Sequence, residues 1–326
     1  MNFFKTPWLF LFIVCLLVLI GFIFIKQGQR DPFSKPHLKE SAEWQTPDDA
    51  TIPEGDAGNL IRYGKELIAH TAVYLGPKGK VAAITNGMNC QNCHLEAGTK
   101  NFANPFSAVA ATYPRYRPRS GTVETVQFRI NDCMVRSLNS QVLDSQSREM
   151  QAMAAYINWV GSGVRKGTKP VGSGIEPLPF LPVAADTVKG EMVYRQKCQR
   201  CHGRAGEGLY EADSVSFVIP PLWGAHSYNT GAGLYRLFQF ATYVKNNMPF
   251  GATFSKPQLT TEEAWHVAAF VNGQPRPRKV FAADWPDITK KPIDFPFGPY
   301  ADTFSETQHK YGPFAPMQPN VTQRAN

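Results

Sequence analysis

The chain has few cysteines and histidines, six and seven in 326 residues. Its two Cys-x-x-Cys pairs are not followed by histidines spaced a few residues apart, which argues against a Cys₂His₂ zinc site. The apolar run at the amino terminus lacks a small-x-small cleavage site, so it does not read as a removable export signal. No lysine occurs between positions 115 and 136, where five arginines do, so that stretch is not an ordinary solvated face. The only Met-Pro pair is Met248-Pro249, in the second half of the chain.

What the chain does have is a repeated five-residue motif, Cys90-Gln91-Asn92-Cys93-His94 and Cys198-Gln199-Arg200-Cys201-His202. Each copy offers two thiols to add across the vinyl groups of a haem and an imidazole to take the iron. A thioredoxin-type pair does not need the trailing histidine. Structural disulfides are the remaining alternative in an exported chain, and repetition of the whole motif weighs against them. Two covalently bound haem c groups are expected, held by Cys90, Cys93, Cys198 and Cys201, with His94 and His202 as proximal ligands.

From Pro7 to Ile25 the residues are almost all apolar, about the length needed to cross a bilayer as a helix. Residues 1–30 therefore read as an uncleaved anchor, with Cys15 a side chain inside it. Lys5 on one side and Lys26 with Arg30 on the other leave orientation undecided by charge. Haem c attachment takes place outside the bacterial inner membrane, so the expected location is the periplasm, anchored to that membrane. The net charge of +8 points to anionic partners. Nucleic acid is not one of them, because an exported haem protein meets none.

Residues 31–54 are polar and read as a stalk. Leu60, Tyr63, Gly64, Leu67 and Ile68 predict a helix, and another is expected from about Ser145 to Val160, with mostly loop leading to Cys133. These make a first haem domain, 55–166. Four prolines and three glycines mark 167–182 as a linker. In a second haem domain, 183–275, Asp186 is expected to cap a helix leading to the second motif. Thr260 with Glu263 forms a capping box for a closing helix. Ala154-Ala155-Tyr156-Ile157-Asn158 recurs as Ala268-Ala269-Phe270-Val271-Asn272. The expected fold is mainly α: two tandem class I cytochrome c domains behind a transmembrane anchor. Their first and last helices would cross at small residues such as Gly64, Ala155, Gly190 and Ala269. Residues 276–326, with many prolines and aromatics, are expected to wrap the surface as an extended tail.

A class I domain usually supplies methionine as its second axial ligand. Asn246-Asn247-Met248-Pro249 assigns Met248 to the second iron, raising its potential, with Lys245 a rival. In the first domain either Cys133 or Met134 can reach the iron, and a thiolate there lowers the potential. Cys133 is also unpaired, and a lone thiol in an oxidising compartment is buried or used. Arg115, Arg117, Arg119, Arg129 and Arg136, against Glu124 and Asp132 alone, favour a thiolate. They also offer forked hydrogen bonds to oxyanions.

The stretches Cys90 to Lys100, Tyr113 to Gly121, Arg129 to Cys133 with Arg136 to Asn139, and Pro220 to Gly224 with Tyr228 to Gly233 resemble the dihaem thiosulfate dehydrogenases. The resemblance spans roughly residues 55–275. It implies that two thiosulfates couple to one tetrathionate, with two electrons leaving through the haems to an acceptor cytochrome or a terminal oxidase. By position it implies that Cys133 is both distal ligand of the first haem and covalent sulfur carrier. Arg119 and Arg129 match oxyanion-binding arginines, and Ser137 a nearby polar residue. It likewise implies His94, His202 and Met248 as the other iron ligands. Two positions depart from the family pattern: Asn247 stands where some members carry a lysine that exchanges with the methionine, and Met134 where an aromatic is common. The competing expectations are an electron-transfer cytochrome without substrate chemistry, the same site run as a tetrathionate reductase, and a haem subunit of the thiosulfate-oxidising pathway.

Overall fold

Side-chain caps set where most of the longer helices begin. The computed structural model describes residues 43–318. The apolar run and the anchor read into it lie outside the described residues, with Cys15, most of the stalk and the end of the tail. Among the described residues no helix is long and apolar enough to cross a membrane. Those residues contain six helices of eleven or more residues: α1 (Gly55–Ala69), α2 (Val126–Ser137), α3 (Arg148–Val160), α4 (Thr187–Lys197), α5 (Leu237–Asn247) and α6 (Thr261–Gly273). Thr125 accepts from the Phe128 amide at α2, Ser147 from Met150 at α3, and Asp186 from Val188 and Lys189 at α4. Thr260 and Glu263 close the expected capping box at α6. Each oxygen satisfies amides that the first helical turn leaves without partners. The third helix starts at Arg148 rather than near Ser145 because Ser147 is the residue that caps it.

Two short antiparallel hairpins complete the regular structure: β1 (Arg115–Arg117) with β2 (Thr122–Glu124), and β3 (Leu209–Tyr210) with β4 (Phe217–Ile219). The stretch expected to lead to Cys133 as mostly loop is so up to Thr125, but its last part, from Val126, is α2. Its Thr125 cap and the apolar row Val126, Ile130, Met134, packed on the first core, outweigh its many polar residues.

The same helix crossing is built twice. A Cβ at Gly64 of α1 would lie 2.0 Å from the Ala152 carbonyl oxygen and 2.7 Å from Tyr156 Cβ on α3. One at Gly190 of α4 would lie 1.9 Å from the His266 carbonyl oxygen and 2.8 Å from Phe270 Cβ on α6. Only glycine permits such an approach. Tyr156 and Phe270 are the aromatic members of the recurring pentapeptide. Ala155, expected at the first crossing, is only half-buried, and the contact falls on Ala152 and Tyr156 instead. The chain thus has two tandem, mainly helical cytochrome c units.

The segments between and after them are docked. Phe102 donates its amide to Gly172 and Trp44 its amide to Val171. Phe180 joins an aromatic cluster with Phe238, Trp265 and the tail residue Phe314. Also in the tail, Asp294 takes the Arg236 guanidinium and the Phe238 amide, and Tyr311 accepts from the Ala185 amide at 2.8 Å. The two units meet where Asn229 donates its amide to the Arg136 carbonyl (3.1 Å) and its side chain to Val135 (2.9 Å).

Candidate functional site

Arg129, Cys133 and Ser137 are four residues apart along α2, so they form one stripe on its surface. All three line a cavity whose other walls carry Cys90, Cys93 and His94. Met134, in the neighbouring row, also borders this cavity but is 1 % exposed and belongs to the hydrophobic core with Ile68, Met88, Ile130 and Ile157. Cys133, by contrast, is half-buried and shares the cavity with His94.

The proximal residues fit a covalently attached haem. His94 Nδ1 lies 2.6 Å from the Asn104 carbonyl oxygen, which can only accept. The proton therefore sits on Nδ1 and the Nε2 lone pair is free for a metal. The Cys90 amide donates to Thr71 Oγ1 at 3.0 Å, fixing the first thiol of the pair. Ile68, Met88, Phe106, Ile130, Leu138 and Ile157 give the cavity apolar walls. Burial pushes the Cys90 thiol up to about 11 and the Cys93 thiol up to about 12. Burial pushes Cys133 up as well, but nearby positive charge, Arg129 foremost, outweighs it, and its net shift is downward. Of the three cavity cysteines, the one on α2 is the one whose thiol is held below its ordinary value.

Behind the stripe lies a network of charges. Asp132 Oδ2 accepts from both Arg119 and Arg129, and its Oδ1 accepts from Arg136 Nε. Burial alone raises the Asp132 carboxyl, yet Arg129, Arg119 and Arg136 together hold it below the usual carboxylate value. Arg136 in turn makes a two-pronged pair with Asp284 of the tail, at 2.8 and 2.7 Å. Of the residues expected to bind substrate, Arg129 and Ser137 reach the cavity wall beside Cys133. Arg119 does not line it. It sits in the supporting layer, with its carbonyl accepting from the Trp285 amide at 2.7 Å.

In the second unit, Cys198, Cys201 and His202 lie at the end of α4 and on the short helix Gln199–His202. His202 Nδ1 is 3.0 Å from the Pro220 carbonyl oxygen, the same tautomer-fixing bond as at His94. Met248 is the half-buried C-cap of α5. The rival Lys245 donates its Nζ to the Leu259 carbonyl at 2.6 Å. On the same helix the buried Tyr243 reaches back to the first motif, its hydroxyl 3.4 Å from the Asn92 carbonyl oxygen.

Reading the residues alone missed the Asn104 carbonyl, the cavity-wall residues Tyr113, Ser173 and Gly174, and the tail carboxylate Asp284. The carbonyl carries no side-chain signal. Ser173 and Gly174 fall in the proline- and glycine-rich linker, where nothing in the composition marks a site.

Residues 80–165 match the family model described as SoxA/TsdA, cytochrome c domain, and residues 185–271 match that of cytochrome c oxidase, cbb3-type, subunit III. The chain is 39 % identical over 232 residues to a thiosulfate dehydrogenase of Allochromatium vinosum, covering 70 % of this chain and 82 % of that one. It is 36 % identical over 242 residues to one from Psychrobacter arcticus, covering 74 % and 71 %. Among solved structures it is similar to thiosulfate dehydrogenase (TsdBA) of Marichromatium purpuratum in its "as isolated" form, with a TM-score of 0.66 and 34 % identity. That match covers 73 % of this chain and half of the solved one.

Proposed function

Because the chain belongs to the thiosulfate dehydrogenase family, oxidoreductases acting on thiosulfate, and carries two covalent haem c groups, we propose that it joins two thiosulfates into tetrathionate at the Cys133 cavity. The observation that carries this reading is the α2 stripe itself: Arg129, Cys133 and Ser137 face the same cavity as Cys90, Cys93 and His94. The haems, when bound, take up two electrons one at a time, with His94 and Cys133 as ligands of the first iron and His202 and Met248 of the second.

The chain's own residues deal with the rest. Two dianions repel one another, and a cationic site is needed to bring their sulfurs together. Arg129 offers forked donors to the sulfonate oxygens, and Ser137 a hydroxyl. The Cys133 thiolate bonds to the outer sulfur of one thiosulfate, releasing two electrons and leaving a Cys–S–S–SO₃⁻ adduct. A second thiosulfate then attacks the sulfur next to the sulfonate, forming tetrathionate and returning Cys133 as a thiolate. Charge and atoms balance in both steps. The net positive chain fits the anionic substrate. The same reading places the globular part in the periplasm, tethered through the Pro7–Ile25 run, with an acceptor cytochrome or terminal oxidase receiving the electrons.

The test is Cys133→Gly in the haem-loaded protein. Thiosulfate-dependent reduction of an artificial acceptor and tetrathionate formation should both vanish, while chemically reduced haems still pass electrons to that acceptor. Retained tetrathionate formation would refute the assignment.

A further inference from the structure

The tail crosses the back of the arginine cluster at close quarters. Phe281 lies under the Arg136 guanidinium, 3.7 Å from ring centroid to Cζ. Asp284 takes both terminal nitrogens of that guanidinium, and the Arg136 and Asp284 side chains are only 9 % and 14 % exposed. Trp285, held at φ 62, ties its amide to the Arg119 carbonyl. Pro286 covers Gly121, where a Cβ would meet its ring at 2.5 Å. From the other unit, the Gly231 carbonyl accepts from Arg136 at 3.3 Å, and a Cβ at Gly231 would lie 2.1 Å from the Phe281 ring. A left-handed backbone at a tryptophan persists only where its surroundings over-determine it.

Counting charges shows what Asp284 contributes. Three guanidinium groups converge on the single carboxylate of Asp132. Asp132 Oδ2 is already shared by Arg119 and Arg129, so Arg136 has only Nε satisfied there. Without Asp284, the two outer nitrogens of Arg136 would be buried with the Gly231 carbonyl as their remaining acceptor, and Arg136 would compete for Asp132. A buried donor left without a partner is costly, so the network would rearrange toward Arg136 and away from Arg129. Asp284 satisfies the outer fork of Arg136 and leaves Oδ2 to the arginine at the cavity wall.

We propose that Asp284 is a positioning residue of the oxyanion site, acting through Arg136 and Asp132 to hold Arg129 beside Cys133. This rests on the reading that the cavity takes thiosulfate. The tail, which lies outside the residues matched by either family model, then belongs to the active site in a functional sense.

The experiment is steady-state kinetics of the full-length, haem-loaded protein. Asp284→Asn should raise KM for thiosulfate roughly tenfold, the scale of one charge-assisted contact, with kcat changed less than about threefold. Asp284→Glu, which keeps the charge, should restore most of the affinity. Asp294→Asn, which loosens another tail contact without touching the cluster, should leave KM unchanged. Should Asp284→Asn fail to fold, Arg136→Lys tests the same link, because it keeps the charge but loses the fork, and it should raise KM likewise. An active wild type with unchanged KM in Asp284→Asn overturns this inference alone, as does an equal rise in Asp294→Asn. A wild type that does not oxidise thiosulfate overturns the functional reading, and this inference with it.

Discussion

His94 and His202 each commit Nδ1 to a backbone carbonyl, and Gly64 and Gly190 each let two helices meet at backbone distance. Elsewhere the two units part company. The second presents Met248 at the end of a buried helix, with Lys245 held by a carbonyl. The first presents Cys133 in mid-helix, beside Arg129 and backed by Asp132, Arg136 and Asp284. One scaffold serves twice, and the stripe of Arg129, Cys133 and Ser137 on α2 sets the first unit apart from the second. Function here is grafted on a fold rather than implied by it.

Making the first unit resemble the second gives the largest expected effect. Cys133→Met supplies a second axial methionine but no nucleophile. Tetrathionate formation should fall about 10³-fold or more while the haems remain reducible, as measured by product assay alongside dithionite titration. The reduction potential of the first haem should rise at the same time.

A smaller effect tests the shared half of the comparison. Gly64→Ala and Gly190→Ala should each cost about 1–3 kcal/mol by forcing the crossed helices apart. Thermal unfolding of the two variants should show similar losses. A loss confined to one would mean that the crossings are not equivalent.

How much of this could be read from the residues differs between the two units for a physical reason. Asp186, and Thr260 with Glu263, were legible because capping is local, set by side chains within three residues of the amides they bind. The haem motifs are local in the same way. Helix α2 at the end of the loop-rich stretch is hard to read because the arginines and Asp132 of its charge network obscure the apolar row at 126, 130 and 134. The spacing of 129, 133 and 137 was the available signal and went unread. The link between Arg119 and Arg129 through Asp132 comes from three-dimensional packing rather than from any local pattern. Asp284 was beyond reach, since its partner Arg136 lies 148 residues away and no local pattern links them.

The smallest effect is a change of slope with pH. Asp132 has a folded-state value below its unfolded one of about 3.9. Its ion pairs therefore stabilise the fold fully above that unfolded value and are lost as pH falls through the lowered one. Asp132→Asn should flatten the acid side of a profile of melting temperature against pH. Met248→Leu, which removes no titrating group, should leave the slope of that profile unchanged.

Low-temperature electron paramagnetic resonance of the oxidised, haem-loaded protein bears most directly on the account, because all of the proposed chemistry depends on the Cys133 sulfur reaching the first iron. Two low-spin ferric signals are predicted, one of them with thiolate ligation, and only that one should disappear in Cys133→Gly. Identical spectra from the wild type and the variant would contradict it.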